Sequence, residues 1–223
     1  MIFKNKPLRI ACDGESASGK SLASKLIAKK YNLFCLNSGL IYRYSSFLII
    51  KHKPKKVIPF LKNKFKNLSY KKITKLNLHT QEISNHVGIL AKQKKIRKIV
   101  RNVQRSIIKK YPRIVVEGRD TQTSILKNNP RYTIAFYFKC SLAVASFRRW
   151  HDLKKKIPLK EVKNSLRSRT LLDKKRRFNA LKRAPDALII RTHLLTKKQM
   201  LAKMIKETEK KLLLKYGRNY KKR

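Results

Sequence analysis

Residues 8–21 read LRIACDGESASGKS, and this stretch decides the fold. Its first part, residues 8–12, is apolar apart from Arg9 and predicts a short buried strand. The loop that follows, residues 13–19, is rich in glycine and serine. Residues 20–30 then place apolar side chains at helical spacing. The stretch therefore predicts a strand, a loop and a helix in direct succession.

The loop matches the pattern G-x-x-x-x-G-K-[ST], whose chemistry is phosphate binding. Glycine lets the backbone curl until successive N–H groups converge on phosphate oxygens, and the helix behind adds its N-terminal partial positive charge. Lys20 is expected to reach the β- and γ-phosphates, and the Ser21 hydroxyl to hold Mg²⁺. A glycine–serine turn can match by chance, but the strand before and the helix after are the context that the motif requires. The motif predicts binding of ATP or GTP through Gly14, Glu15, Ser16, Ala17, Ser18, Gly19, Lys20 and Ser21.

Beyond this stretch, predicted strands alternate with predicted helices. Further strands are predicted at 33–36, 113–117, 132–138 and 187–190, and further helices at 40–51, 81–92, 95–110, 141–151 and 196–215. Thr80 has the residue type and position of a helix N-cap. The alternation predicts an α/β fold with a five-stranded parallel sheet.

Two segments lack clear apolar periodicity. Residues 52–79 contain Pro54, Pro59 and many lysines, and we expect them to form a small insertion. Residues 152–183 are highly basic, and we expect helical patches there at best.

Composition limits the class of protein. A chain of 223 residues, of which 42% are hydrophobic, suits one domain with a packed core. The apolar runs are far shorter than the ~18 residues of a membrane helix, and we see no signal peptide. Cys12, Cys35 and Cys140 have no CxxC spacing, so we expect reduced thiols. We expect a cytoplasmic monomer with no membrane partner.

The charge of the chain is unusual. It has 59 Lys and Arg against 11 Asp and Glu, a net charge of +48. This predicts salt-sensitive, non-specific binding of polyanions. However, the basic residues recur along the whole chain, and Lys, Ile and Asn, which all have A/T-rich codons, are abundant. Two interpretations stay open: compositional drift in an A/T-rich genome, or a dedicated nucleic-acid function.

Arginines recur beside predicted strand ends. The segments SGLIYR at 38–43 and EGRD at 117–120 each lie at the carboxyl end of a predicted strand, where open α/β sheets bind ligands. Arg169, Asp173 and Arg176 stand at i, i+4 and i+7, on one face of a helix. Because a guanidinium binds phosphate with two parallel hydrogen bonds, these clusters favour a second phosphate-bearing ligand. Ordinary alternatives are a helix salt-bridge ladder for the last cluster and a capping turn at 119–120.

Together these segments resemble the bacterial cytidylate kinase family, from Ile10 to about Thr192. The matching pieces are residues 13–21, 38–43, 80–84, 116–120, the Arg169/Asp173/Arg176 pattern and 185–187. The resemblance implies a three-layer P-loop kinase that transfers the γ-phosphoryl group of ATP to CMP or dCMP with Mg²⁺. On this basis we expect one kinase domain over 1–223, an NMP-binding insertion at 52–92, a mobile arginine-rich lid at 152–177 and a frayed basic tail at 210–223.

The resemblance also implies roles for individual residues. The catalytic residues would be Lys20, Arg119 and Arg169. The acceptor nucleotide would be bound at its phosphate by Ser38, Arg43, Arg119 and Arg169, at its ribose by Asp173 with Arg176 nearby, and at its base by Arg97 and Asp120, with Tyr42 lining the pocket. Several positions depart from the family pattern, among them Asn37, which replaces an aspartate, Leu22, which replaces a hydroxyl residue, and Gly88, which replaces a serine that helps to read cytosine.

Two other functions stay open at this point. One is a P-loop kinase for another monophosphate such as UMP, which the Gly88 departure favours. The other is a basic nucleic-acid-binding P-loop protein with degraded kinase activity, which the net charge favours.

Overall fold

The computed structural model describes residues 3–217, and this part of the chain contains a five-stranded parallel sheet. Its strand order is β2-β3-β1-β4-β5. The strands are β1 (Leu8–Gly14), β2 (Phe34–Asn37), β3 (Arg113–Gly118), β4 (Ile134–Lys139) and β5 (Leu188–Arg191). Every predicted strand is present within two residues of its expected ends, and the predicted α/β fold class is confirmed. β1 is central and pairs in parallel with both β3 and β4.

Helices follow the strands, as the alternation predicted. They are α1 (Lys20–Tyr31), α2 (Ser38–His52), α3 (Val57–Lys66), α4 (Tyr70–Ile73), α5 (Gln81–Leu90), α6 (Lys94–Lys110), α7 (Leu142–Asp152), α8 (Leu159–Lys175) and α9 (Lys197–Tyr216). Thr80 caps α5, since its side chain accepts a hydrogen bond from Ile83 N. Within residues 3–217, none of these helices has the length and apolar character needed to cross a membrane.

Asn37–Lys110 forms one compact unit, and the described residues on either side of it form the other. The core of the flanking unit lies between the sheet and helices α1 and α9. Ile10 and Phe136 of the sheet, Ile27 of α1 and Met204 of α9 are fully shielded from solvent there. Burial of such apolar side chains is the main driving force of folding.

The expectation of helical patches at best for 152–183 is wrong, because α8 is a regular helix of 17 residues. Its buried side chains are Val162 and Leu166, which is too few to produce an apolar stripe in the sequence. Residues 52–79, the segment with Pro59 and no clear apolar periodicity, also contain a regular helix, α3. Pro59 is the third residue of α3, in the first turn, where its missing N–H costs no helical hydrogen bond.

The expected subdivisions fall on these elements as follows. Residues 52–92 lie inside the Asn37–Lys110 unit, and residues 152–177 contain α8. Residues 210–216 continue α9, and residues 218–223 lie outside the described part of the chain.

Candidate active site

The phosphate loop is the segment between β1 and α1. Gly19 has φ +79 and Ala17 has φ +53, so both adopt the left-handed conformation that curls the loop. The hydroxyl of Ser18 donates to the carbonyl of Glu15 at 2.8 Å and closes the curl. At Gly14, a Cβ atom would lie 2.4 Å from the carbonyl oxygen of Phe138, so no larger residue fits. This is the backbone shape with which amides surround a phosphate.

Lys20 lies at the base of this loop, where α1 begins. Its Nζ donates to the carbonyl of Glu15 at 3.5 Å. Burial, followed by the positive charge of Arg119, lowers the pKa of its ammonium to about 7. An anion bound in the loop would therefore stabilise the charged form of Lys20.

Arg119 connects the phosphate loop to α8. Its guanidinium donates to the carbonyl of Gly14 at 3.0 Å and to the hydroxyl of Ser16 at 3.2 Å. Its Nε donates to Oδ2 of Asp173 at 2.7 Å, and both side chains are 16% exposed. Arg119 directly follows β3, and the phosphate loop directly follows β1. Because β3 pairs with β1, this places Arg119 beside the loop.

Asp173 lies between two arginines. Besides Arg119, its carboxylate has Arg176 at 3.7 Å. Burial acts to raise the pKa of Asp173, but the charges of Arg119 and Arg176 outweigh it and hold this pKa below its ordinary value. The salt-bridge ladder considered for this helix is therefore present in part, and it extends to the phosphate loop. Arg169, one turn earlier on α8, is exposed, and its charge reaches Lys20.

Asp13 holds the segment after β3 in place, a role that the sequence interpretation does not assign to it. Its carboxylate is fully buried and accepts from the backbone N–H groups of Thr121 and Gln122, at 3.0 and 2.8 Å. These two bonds fix the single π-helical turn Thr121–Ile125 directly after Asp120, which is itself buried. The available signal was an aspartate at the end of an apolar strand, immediately before the glycine of the motif.

Thr192 supports the loop from the side of β5, and it was also missed. Its hydroxyl donates to the carbonyl of Ser18 at 3.0 Å. Arg148 of α7 in turn donates to the carbonyl of Thr192 at 3.1 Å. No signal near the motif indicated either residue, since Thr192 is 174 positions away from Ser18.

The residues expected to hold Mg²⁺ have suitable chemistry. Ser21 supplies a hydroxyl, and Glu117 at the end of β3 supplies a carboxylate that the metal prediction had not included. Glu117 is buried, and its Oε2 lacks a hydrogen-bond partner among residues 3–217. Mg²⁺ prefers such oxygen ligands and takes others from phosphate and water. Since residues 3–217 contain no cluster of three or more His, Cys, Asp or Glu side chains suited to a metal ion, the nucleotide would supply most of the ligands.

The remaining predicted acceptor residues lie in the Asn37–Lys110 unit. Arg43 donates to the carbonyl of Leu78 at 2.9 Å and to the hydroxyl of Ser84 at 3.0 Å. Arg97 is 3% exposed and its guanidinium lies 5.5 Å from the ring centre of Tyr42. Ser38 is buried at the start of α2. The predicted residues thus form two groups: Ser38, Tyr42, Arg43 and Arg97 in this unit, and Arg119, Asp120, Arg169, Asp173 and Arg176 in the other.

Three departures from the family pattern have clear structural settings. The side chain of Asn37 caps α2 by accepting from Leu40 N at 3.2 Å, which an aspartate would also do. Leu22 is exposed. Gly88 lies in α5, and a Cβ atom there would meet nothing within 4 Å.

The chain was compared with known structures. A solved structure of an uncharacterised protein from Eubacterium ventriosum superposes with a TM-score of 0.56 at 16% identity, covering 92% of this chain and 99% of that one. A Thermus thermophilus structure gives a TM-score of 0.53 at 13% identity, covering 93% and 99%. At these identities the likeness shows a shared fold.

Comparison with known sequences is more specific. A Clostridium botulinum (strain Hall) protein named cytidylate kinase is 29% identical over 214 residues, covering 88% of this chain and 95% of that protein. A Mesomycoplasma hyopneumoniae (strain 232) protein of the same name is 28% identical over 222 residues, covering 93% and 96%. The family model for cytidylate kinase matches residues 10–210. With a match over most of its length, the chain belongs to the cytidylate kinase family.

Proposed function

We propose that this protein transfers the γ-phosphoryl group of ATP to CMP or dCMP, giving ADP and CDP or dCDP. The observation that carries the proposal is the position of Arg119, whose guanidinium contacts both the phosphate loop and the acidic residue of α8. A side chain in that position reaches the donor phosphates from one side and an acceptor phosphate from the other.

The donor half of the reaction belongs to the phosphate loop. Its amides and Lys20 bind the β- and γ-phosphates of ATP, and Lys20 recovers its full charge as they arrive. Ser21 and Glu117 would hold Mg²⁺, which, when bound, neutralises charge on the phosphates. Thr192 keeps the loop in its curled shape through Ser18.

The acceptor half belongs to the arginines. CMP presents an oxygen that is already ionised, so positioning and charge neutralisation account for the rate and no general base is needed. Arg119 exchanges Asp173 for a phosphate oxygen when CMP binds, and Asp173 is then released towards the ribose hydroxyls. Ser38, Arg43 and Arg169 complete the set of phosphate ligands, and Arg176 lies near the nucleotide.

The base is read by Arg97 and Asp120. Arg97 is pre-oriented, because it packs over the ring of Tyr42 and donates to the carbonyl of Ala91 at 3.2 Å. Asp120 is held by the turn that Asp13 fixes. Preformed partners of this kind discriminate strongly, since a wrong base leaves buried polar groups unpaired.

The wider organisation is part of the same proposal. Residues 52–92 serve as the NMP-binding insertion, and residues 152–177 as a lid whose closure limits hydrolysis of ATP by water. The protein acts as a cytoplasmic monomer on nucleotides, and its net charge of +48 gives only non-specific attraction to polyanions.

The test is turnover of the purified chain with ATP, Mg²⁺ and each of CMP, dCMP, UMP, AMP and GMP. We expect the highest kcat/KM with CMP or dCMP, and loss of turnover in Lys20→Met, which keeps the length of the side chain but not its charge. If UMP is the best acceptor, the base assignment is wrong. If no monophosphate is consumed while the chain binds nucleic acid at physiological salt, the kinase assignment is wrong.

A further inference from the structure

The second half of α8 is attached to the phosphate loop by polar contacts. The buried side chains of α8, Val162 and Leu166, are in its first half, where they pack with Ala145 of α7. Beyond them, Leu171 and Leu172 are 47% and 57% exposed. The position of residues 169–175 therefore depends on hydrogen bonds and ion pairs rather than on apolar packing.

Three side chains of α8 make these contacts, at spacing i, i+3 and i+4 on one face. The hydroxyl of Thr170 accepts from Ser16 N at 3.4 Å. Asp173 accepts from Arg119. Lys174 donates to Oε1 of Glu15 at 2.7 Å, where the carboxylate side chain is 19% exposed and the lysine 45% exposed.

The three contacts differ in what happens to them when substrates bind. Ser16 N belongs to the backbone that binds phosphate, so ATP competes with Thr170 for it. Arg119 exchanges Asp173 for the acceptor phosphate. Neither Glu15 nor Lys174 has to release the other for phosphate to bind, so their ion pair is compatible with bound substrates.

We propose that Lys174 is a positioning residue, whose ion pair with Glu15 holds the second half of α8, and with it Arg169 and Arg176, against the phosphate loop while CMP is bound. The proposal rests on the proposed function, because it takes Arg169 and Arg176 as ligands of the acceptor. It assigns to Glu15 a role that the loop pattern does not require, since this position of the pattern accepts any residue.

The alternative role for these charges is a through-space effect on bound phosphates. The two roles predict different directions for the changes of KM for CMP in the two single variants. Lys174→Met removes a positive charge and Glu15→Gln removes a negative charge from almost the same place, so a through-space effect has opposite directions in the two variants. Loss of the ion pair, in contrast, changes KM in the same direction in both variants. In addition, once one partner is gone, removal of the other changes nothing further.

The first experiment is steady-state kinetics at saturating ATP with CMP varied. Lys174→Met and Glu15→Gln should each raise KM for CMP about fivefold, with kcat unchanged, because only the fraction of molecules with α8 in place binds CMP productively. The double variant should match the single ones, and Lys174→Arg, which keeps the ion pair, should behave as the wild type. Lys175→Met, which removes an equal charge from the next position of the helix, is the matched control and should also behave as the wild type.

The second experiment is hydrogen exchange at residues 167–175 of the ligand-free chain. Exchange should rise equally in Lys174→Met, Glu15→Gln and the double variant. Opposite changes of KM in the two single variants, or additive changes in the double variant, would overturn the inference. If the wild type does not phosphorylate CMP, the proposed function fails, whereas unchanged exchange in all variants contradicts this inference alone.

Discussion

Arg119 and Asp173 are 54 residues apart in sequence and 2.7 Å apart in the structure. Arg119 directly follows β3 and Asp173 lies in α8, so this pair joins the sheet to the helix that carries Arg169 and is followed by Arg176. Without substrate, the arginine expected to grip the acceptor phosphate is thus paired with the carboxylate expected to bind the acceptor ribose. We propose that both side chains stay in this ion pair until a bound nucleotide supplies other partners for them.

Replacing Arg119 tests whether this guanidinium binds the acceptor phosphate. In Arg119→Ala we expect kcat/KM for CMP to fall at least ~100-fold, since a desolvated charge-assisted phosphate contact is worth a few kcal/mol. The measurement is a coupled assay of ADP release. Arg131→Ala is the control, because Arg131 precedes β4, at the amino-terminal ends of the strands and thus away from the phosphate loop, and pairs with Asp186 on the surface. Equal rates in Arg119→Ala and the wild type would contradict the assignment.

Gly88 should limit the selectivity for cytosine. The space around it is open, so a serine side chain fits without displacing a neighbour. In Gly88→Ser we expect the ratio of kcat/KM for CMP to that for UMP to rise about tenfold, because the hydroxyl supplies a hydrogen bond to the base edge. Ile89→Ser, at the exposed neighbouring position, is the control. A ratio that is unchanged in Gly88→Ser would show that this position does not face the base.

Two glycines should respond to alanine in opposite directions. In Gly14→Ala the new Cβ would lie 2.4 Å from the Phe138 carbonyl oxygen, so β1 and β4 must shift apart, and we expect a loss of about 2–4 kcal/mol in the free energy of unfolding. In Gly88→Ala the Cβ enters open space in a helix, and we expect a gain of about 0.5–1 kcal/mol. Urea denaturation measures both. A Gly14→Ala variant as stable as the wild type would contradict the close approach of β1 and β4.

Asp13 should give the stability of the protein a pH dependence. Burial, opposed in part by the amides of Gln122 and Thr121, raises the pKa of Asp13 to about 6 from its ordinary value of 3.8. Between these values the folded chain binds more protons than the unfolded chain, so the contribution of Asp13 to stability falls as pH rises from about 4 to 6 and is constant above. We expect the unfolding free energy of the wild type, relative to Asp13→Asn, to fall by about 3 kcal/mol over this range. A constant difference between the two variants would contradict the raised pKa.

The sheet could be predicted from the sequence because its strands are short apolar runs, each bounded by a loop or a helix. The cap at Thr80 could be predicted because its signal is local. In contrast, the full length of α8 could not be predicted, because Val162 and Leu166 are its only buried side chains within the described chain, so its sequence lacks the apolar stripe on which helix prediction depends. The helix α3 could not be predicted either, because residues 52–79 lack clear apolar periodicity.

The site shows the same limit. The residue types of Lys20, Arg119 and Asp173 and their places at strand ends or on one helix face could be read from local patterns. The contacts that position the loop and α8 could not be predicted from such patterns. The Lys174–Glu15 ion pair spans 159 positions of the sequence, and the Thr192–Ser18 hydrogen bond spans 174. Contacts over such distances follow from the packing of the sheet and helices, which no local pattern encodes.

The most direct test of the account follows the transferred group itself. The purified chain is incubated with CMP, Mg²⁺ and ATP labelled with ³²P in the γ-phosphate, and the products are separated. We expect the label in CDP, with little in inorganic phosphate, and no labelled CDP from Lys20→Met. Label that appears only in inorganic phosphate, or remains in ATP while CMP is unchanged, would contradict the claim that this site transfers the γ-phosphoryl group from ATP to CMP.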